Sequence, residues 1–195
     1  MNSAFDHDLI DNLLGITDPE QLRTIETQIV ARKILHFKLS PPQEPLTYDY
    51  LKTIHHHLFC DIYPWAGKDR YEMGAAEIFR KGETHFTATS HIPDVAHNLF
   101  DALERENYFQ GLTLEALTHH LALFLNGLNL LHPFREGNGR VLRLFGEQLA
   151  LRAGHPLDLS THSPSINTQA YILGARGKLT GIETIIRHGF YKETQ

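Results

Sequence analysis

Two apolar helical patterns, broken by one crowded polar segment, constrain this chain more than any other feature. Thr113 can open a helix that places Leu117, Leu121, Leu125 and Leu128 on one face, and Leu142, Phe145 and Leu149 resume the same period. Between them, Leu131 to Gly139 interrupts the pattern with histidine, arginine, glutamate, asparagine and two glycines. The spacing predicts two buried helices joined by a loop, the first of them central to the core. A connection between helices needs only a turn, so this density of distinct polar groups marks a binding site.

The rest of the chain reads as further helices around that pair. Asp18-Pro19 with Gln21 supplies a cap, a first-turn proline and a capping-box residue ahead of Leu22, Ile25, Ile29, Val30 and Ile34. Beyond the Pro41-Pro42 break, Thr47 can cap a second helix carrying Leu51, Ile54, Leu58 and Phe59, terminated near Pro64. The stretch Tyr71 to Ser90 lacks a 3.6 period and alternates briefly around Glu77-Ile78-Phe79-Arg80 and His85-Phe86-Thr87, which predicts a small hairpin turning near Lys81-Gly82-Glu83. Val95, Leu99 and Leu103 give one more helix, and Asn167 and the box Thr180-Gly181-Ile182-Glu183 mark two others, the last ending near Gly189.

The expected fold is therefore mainly α, a single helical domain over residues 1–195 with a short β-hairpin flap before the central helices. Its motif core covers about 47–152, its hairpin about 75–88 and its C-terminal helices about 167–190. With 42% hydrophobic and 21% charged residues the chain can offset the entropy of ordering a core. Its formal net charge is -5 and it has no basic stripe interleaved with aromatics, so nucleic-acid binding is not expected and any phosphate site has to be local. The single cysteine, Cys60, cannot form an internal disulfide. MNSAFDHDLI lacks a signal-peptide pattern and no stretch reaches the roughly 18 apolar residues of a membrane span, so a bacterial cytoplasmic location without membrane contact is the expectation, with translocation into a host cell by a machine that reads another signal as the alternative.

Within the loop, Gly137 and Gly139 allow successive backbone N–H groups to line a concave face, and the helix starting about Gly139 points its unsatisfied amides at the same space. Arg140 and Arg143, three residues apart on one face, add charge-assisted donors suited to phosphate. Glu136 would repel bare phosphates, and a divalent cation such as magnesium resolves the conflict. His132 has the near-neutral pKa of a general base for an attacking hydroxyl. Plainer readings stand beside these: His132 as a helix-end imidazole bonded to a carbonyl, and the arginines as partners of Glu136 and Glu147. Phe134 is a core anchor under either.

The string HPFREGNGRVLR, residues 132–143, resembles the signature of the Fic-domain family, and DIYPWAGKDR, Asp61 to Arg70, is similar to the run ahead of that family's flap. The helical layout agrees across roughly residues 10–190. The resemblance implies that His132 is the general base, Glu136 the Mg2+ ligand, and that Gly137, Asn138, Gly139, Arg140 and Arg143 surround the phosphates of ATP. It implies transfer of AMP to a Tyr, Thr or Ser hydroxyl of a target protein that docks along the hairpin at about 77–86, with release of pyrophosphate. Many family members carry an inhibitory Ser/Thr-x-x-x-Glu-Gly/Asn helix. That string is absent here, and Thr180-Gly181-Ile182-Glu183 reads as an ordinary cap, so the resemblance points to a separate antitoxin-like partner supplying the inhibitory glutamate.

A Fic-like kinase and a catalytically silent nucleotide-binding module remain as alternatives. Gly139 favours AMP transfer, because the kinase-like relatives commonly have lysine there. The runs His55-His56-His57 and His119-His120 diverge around a helix and predict solvent-facing or core-edge imidazoles, not a metal site.

Overall fold

The computed structural model describes residues 11–40 and 45–190. The Pro41-Pro42 break and the MNSAFDHDLI segment lie outside the described residues. Helix α1 (Pro19–Leu39) starts as its sequence predicts, with Asp18 accepting from the N–H groups of Glu20 and Gln21 at 2.8 and 3.0 Å. Its buried positions are Leu22, Glu26, Val30 and Phe37, so a carboxylate stands among the apolar residues of the inner face. Helix α2 (Tyr48–Phe59) is capped by Thr47, whose hydroxyl accepts from Tyr50 N–H at 3.2 Å.

The hairpin consists of β1 (Arg80–Lys81) and β2 (Thr84–His85), paired Arg80 to His85 and Lys81 to Thr84. Gly82, at φ 57°, supplies the left-handed residue of its tight turn. Phe86 N–H donates to Phe79 C=O at 3.1 Å, and Thr87 N–H donates to Leu130 C=O at 2.9 Å. This last bond ties the flap to the end of the central helix.

Helix α3 (Ile92–Arg105) buries Ile92, Ala96, Phe100 and Leu103. Val95, expected on that face, is 37% exposed, because the apolar register begins at Ile92 ahead of the first-turn Pro93. Helix α4 (Leu114–Leu131) is capped by Thr113 and buries Leu117, Leu121, Leu125 and Leu128. It packs against α3 and against α5 (Asn138–Arg152), α6 (Pro164–Gly174) and α7 (Thr180–Gly189), which makes it the centre of a mainly α-helical single domain.

The C-terminal caps differ from expectation. Ser163 caps α6 ahead of Pro164, and Asn167 sits one turn inside, its amide donating to the carbonyls of His162 and Ser163. Thr180 is the first residue of α7, and Leu179 stands at the cap with no side-chain bond. The expected capping box is not formed, and Glu183 instead meets His119 Nδ1 at 2.8 Å.

Candidate active site

Helix α4 ends on His132, which takes a left-handed conformation at φ 45° and ψ 56°. A non-glycine residue there needs outside support, and Arg70 supplies it. Completely buried, the Arg70 guanidinium donates from Nε to His132 C=O at 2.9 Å and from Nη2 to the carbonyls of Thr87 at 2.8 Å and Leu131 at 3.3 Å. Its Nη1 donates to Thr89 Oγ1 at 2.9 Å, and its own N–H donates to Pro133 C=O at 2.7 Å. A cation thus sits where the helix dipole is negative. The Asp61 to Arg70 run stood out in the sequence, but nothing local revealed that its last residue grips the end of a helix far along the chain.

The imidazole of His132 lies between flap and core, stacked on Phe86 at 3.8 Å and beside Phe79 at 5.4 Å. Nδ1 is 3.3 Å from Asn129 C=O, a geometry that places the proton on Nδ1 and the lone pair on Nε2. Nε2 is out of contact with water and has no hydrogen-bond partner. Burial first, then the positive charge of Lys81, pushes the imidazole down to about 3, so it is neutral at ordinary pH.

Two side chains fold the loop after it. Asn138 accepts from Phe134 N–H at 2.9 Å and donates to Phe134 C=O at 2.7 Å, so its amide closes the turn. His55, expected at the surface or core edge, is fully buried and stacks on Phe134 at 4.0 Å. Gly67 N–H donates to its Nδ1 at 2.8 Å, and its Nε2 reaches Glu136 C=O at 3.1 Å. These two bonds fix one tautomer, and burial pushes this imidazole also down to about 3. Its place in a triple-histidine run concealed it, because adjacent helical positions face different surroundings and only His55 points at the loop.

Gly137 begins α5 at φ 82°, and a Cβ there would collide with the Phe59 ring. Gly139 differs, since a Cβ on it would meet only Arg143 Nη1 at 3.5 Å, an ordinary contact. Nothing in the fold demands glycine at 139, which leaves room for a ligand as the reason for it.

Arg140 and Arg143 meet different neighbours. Arg140 Nη1 pairs with Glu26 Oε1 at 2.5 Å and Nη2 with Glu136 Oε1 at 3.3 Å, its guanidinium lying 4.8 Å over Phe59. Arg143 lines a cavity of about 260 Å³ together with His132 and Gly139. Three residues along a helix leave two side chains about 60° apart, enough for long ones to reach different neighbours. The hairpin adds Lys81, Thr84 and Phe86 to the cavity wall, and α6 adds Asn167 and Tyr171. Among the described residues Arg143 has no ion pair, and Glu147 is taken by Lys38 at 3.0 Å. Glu136, Gly137, Asn138 and Arg140 form the loop and helix start beside the cavity.

Glu136 Oε1 accepts its neighbour Gly137 N–H at 2.8 Å, while Oε2 stands 3.9 Å from Lys81 Nζ. Among the described residues no group of three or more His, Cys, Asp or Glu could hold a metal ion. One carboxylate is a fitting donor set for magnesium that brings the rest of its shell from phosphate oxygens and water.

The fold and this loop are those of a known family. The Fic/DOC family model matches residues 45–150. The Escherichia coli K12 protein named "Probable protein adenylyltransferase Fic" is 33% identical over 178 residues, 91% of this chain and 86% of that protein. Among solved structures, the Bartonella tribocorum BepC protein, a VirB-translocated effector with bound AMPPNP, has a TM-score of 0.87 at 28% identity, covering 95% of this chain and 93% of its own. The N-terminal Fic domain of a Bartonella quintana cell filamentation protein, with bound ADP, has a TM-score of 0.89 at 28% identity, covering 99% and 94%. This chain belongs to the Fic/DOC family. No helix among the described residues is long and apolar enough to cross a membrane.

Proposed function

We propose that the protein transfers AMP from ATP to a Tyr, Thr or Ser hydroxyl of a target protein, releasing pyrophosphate. The observation that carries this reading is the neutral His132 imidazole, its Nε2 without a partner, on the wall of a cavity that also holds Arg143 and the side-chain-free Gly139. The nucleotides bound by the similar BepC and B. quintana Fic-domain structures support ATP as the donor.

His132 accepts the target hydroxyl proton at Nε2 while that oxygen attacks the α-phosphorus and pyrophosphate leaves from the opposite side. Asn129 C=O holds the proton on Nδ1 and so keeps Nε2 the acceptor. A base pushed down to about 3 is weak, and the negative charge of bound phosphates raises it toward working range. Nε2 is shut off from water, so docking of the target along the hairpin has to open the path to it. Arg143 and the amides at the start of α5 hold the phosphate chain. Magnesium held by Glu136 and the phosphates would neutralise charge on the leaving group. Arg143, which has no ion pair among the described residues, also leaves a cation that the glutamate of a separate antitoxin-like protein could occupy.

Parallel reactions with α-labelled and γ-labelled ATP on a candidate target, read by labelling and intact mass, test the reading. Retention of the α label with the mass gain of AMP is expected. Retention of the γ label alone would replace AMP transfer with phosphorylation.

A further inference from the structure

Arg140 belongs to the motif loop, yet both ends of its guanidinium are taken by carboxylates, Glu26 at 2.5 Å and Glu136 at 3.3 Å. Glu26 comes from α1, ahead of the residues 45–150 that the family model matches. It is buried, and its second oxygen accepts the Tyr63 hydroxyl. A buried carboxylate with no role of its own would be a liability in a helix whose other inner positions are apolar. Here it completes a chain from Tyr63 through Glu26 and Arg140 to Glu136.

We propose that Glu26 is a positioning residue for the metal-bound nucleotide. One guanidinium is shared between two carboxylates, and the shorter bond goes to Glu26. That pairing takes up most of the Arg140 charge, so Glu136 keeps a net negative face for a divalent cation while Arg140 still fixes its orientation. With Glu26 neutral, the whole Arg140 charge falls on Glu136, and the cation is held less firmly. Two residues of the Asp61 to Arg70 run then have matched tasks: Tyr63, through Glu26 and Arg140, steadies the Glu136 side of the loop, and Arg70 steadies His132.

This inference rests on the assignment of Glu136 to magnesium in the proposed function, and binding measurements separate the two. The probe is the β,γ-imido analogue of ATP, titrated calorimetrically with magnesium and with chelator. For Glu26→Gln, which keeps size and shape, the dissociation constant with magnesium is expected to rise about tenfold, the weight of one charge-assisted contact, while metal-free binding moves less than about twofold. Raised magnesium should restore binding, and Glu26→Asp, which keeps the charge, should recover most of the metal dependence. A folded Glu26→Gln chain with the wild-type magnesium titration overturns the inference and leaves the proposed function standing. Unaltered protein that binds the analogue equally well with and without magnesium removes the metal role of Glu136 and this inference with it. A structure of the unaltered protein with magnesium and the analogue decides the matter even if the variant does not fold. Arg140 is expected to stay between Glu26 and Glu136, and Arg140 moved onto the phosphates refutes the inference.

Discussion

Gly137 and Gly139 stand two positions apart in the same motif, yet physical chemistry separates them. At Gly137 both the left-handed backbone and the Phe59 ring exclude a side chain, so Gly137→Ala should destabilise the protein by about 2 kcal/mol or more in urea unfolding. At Gly139 a methyl group fits and a helix interior prefers alanine, so Gly139→Ala should leave stability unchanged or raise it by up to about 1 kcal/mol. Its cost should appear as weakened ATP binding in calorimetry, because the methyl group occupies space on the cavity wall. If Gly139→Ala bound ATP with unaltered affinity, close approach of phosphate to that backbone would be ruled out. His132 supplies the complementary case. His132→Ala should abolish labelling of a target by α-labelled ATP while ATP affinity stays within about threefold, since the imidazole is assigned to the proton and not to the phosphates. Undiminished labelling would dismiss it as the base.

At the scale of elements, what could be read in advance was whatever is encoded within a few residues. The Asp18, Thr47 and Thr113 caps, the break after Leu131 and the turn at Gly82 all formed, because each depends on a local bond or a local φ. Where two local solutions compete, the sequence misleads: Ser163-Pro164 took the start of α6 from Asn167, and tertiary contact with His119 drew Glu183 away from a capping box. Pairings across the chain, such as Arg70 with His132 or Glu26 with Arg140, leave no periodic trace at all. Arg70 shows how much such a pairing carries, since it joins the segment ahead of the hairpin, the flap at Thr87 and the end of α4. Arg70→Met should therefore cost about 3 kcal/mol or more, because several buried acceptors lose their donor together. Arg70→Lys, which can satisfy only part of that set, should fold and yet transfer AMP more slowly, as the left-handed His132 loses its clamp. Equal transfer rates for Arg70→Lys and the unaltered chain would show that the clamp serves stability alone.

For the whole molecule, the apolar periods sufficed to place α4 at the centre of a helical domain, and the motif loop sufficed to locate the site. They could not show that the site is assembled around two buried, neutral imidazoles, since burial is a property of the finished core. That arrangement has a consequence for stability. His55 and His132 are both pushed from 6.5 down to about 3 in the folded chain, whereas in the unfolded chain they titrate normally. Between about pH 3 and 6.5 the unfolded state therefore binds more protons, and stability rises with pH across that window and is lost as pH falls through it. Glu147, whose carboxyl burial pushes up from 4.5, works in the opposite sense above pH 4.5, but it is one group against three, since burial also pushes the His57 imidazole down. The carboxyl of Asp158, held down to about 2 with Ser160 and Lys38 bonded to it against the opposing effect of burial, adds its own loss only at more acid pH. The urea midpoint should thus fall clearly from pH 7 to pH 5. In His132→Ala one of the two most strongly lowered imidazoles is gone, so the drop between those pH values should shrink clearly, measured against that variant's own midpoint at pH 7. An identical drop in variant and unaltered protein would mean that His132 is not held neutral by the fold, and its assignment as the proton acceptor would lose its electrostatic basis.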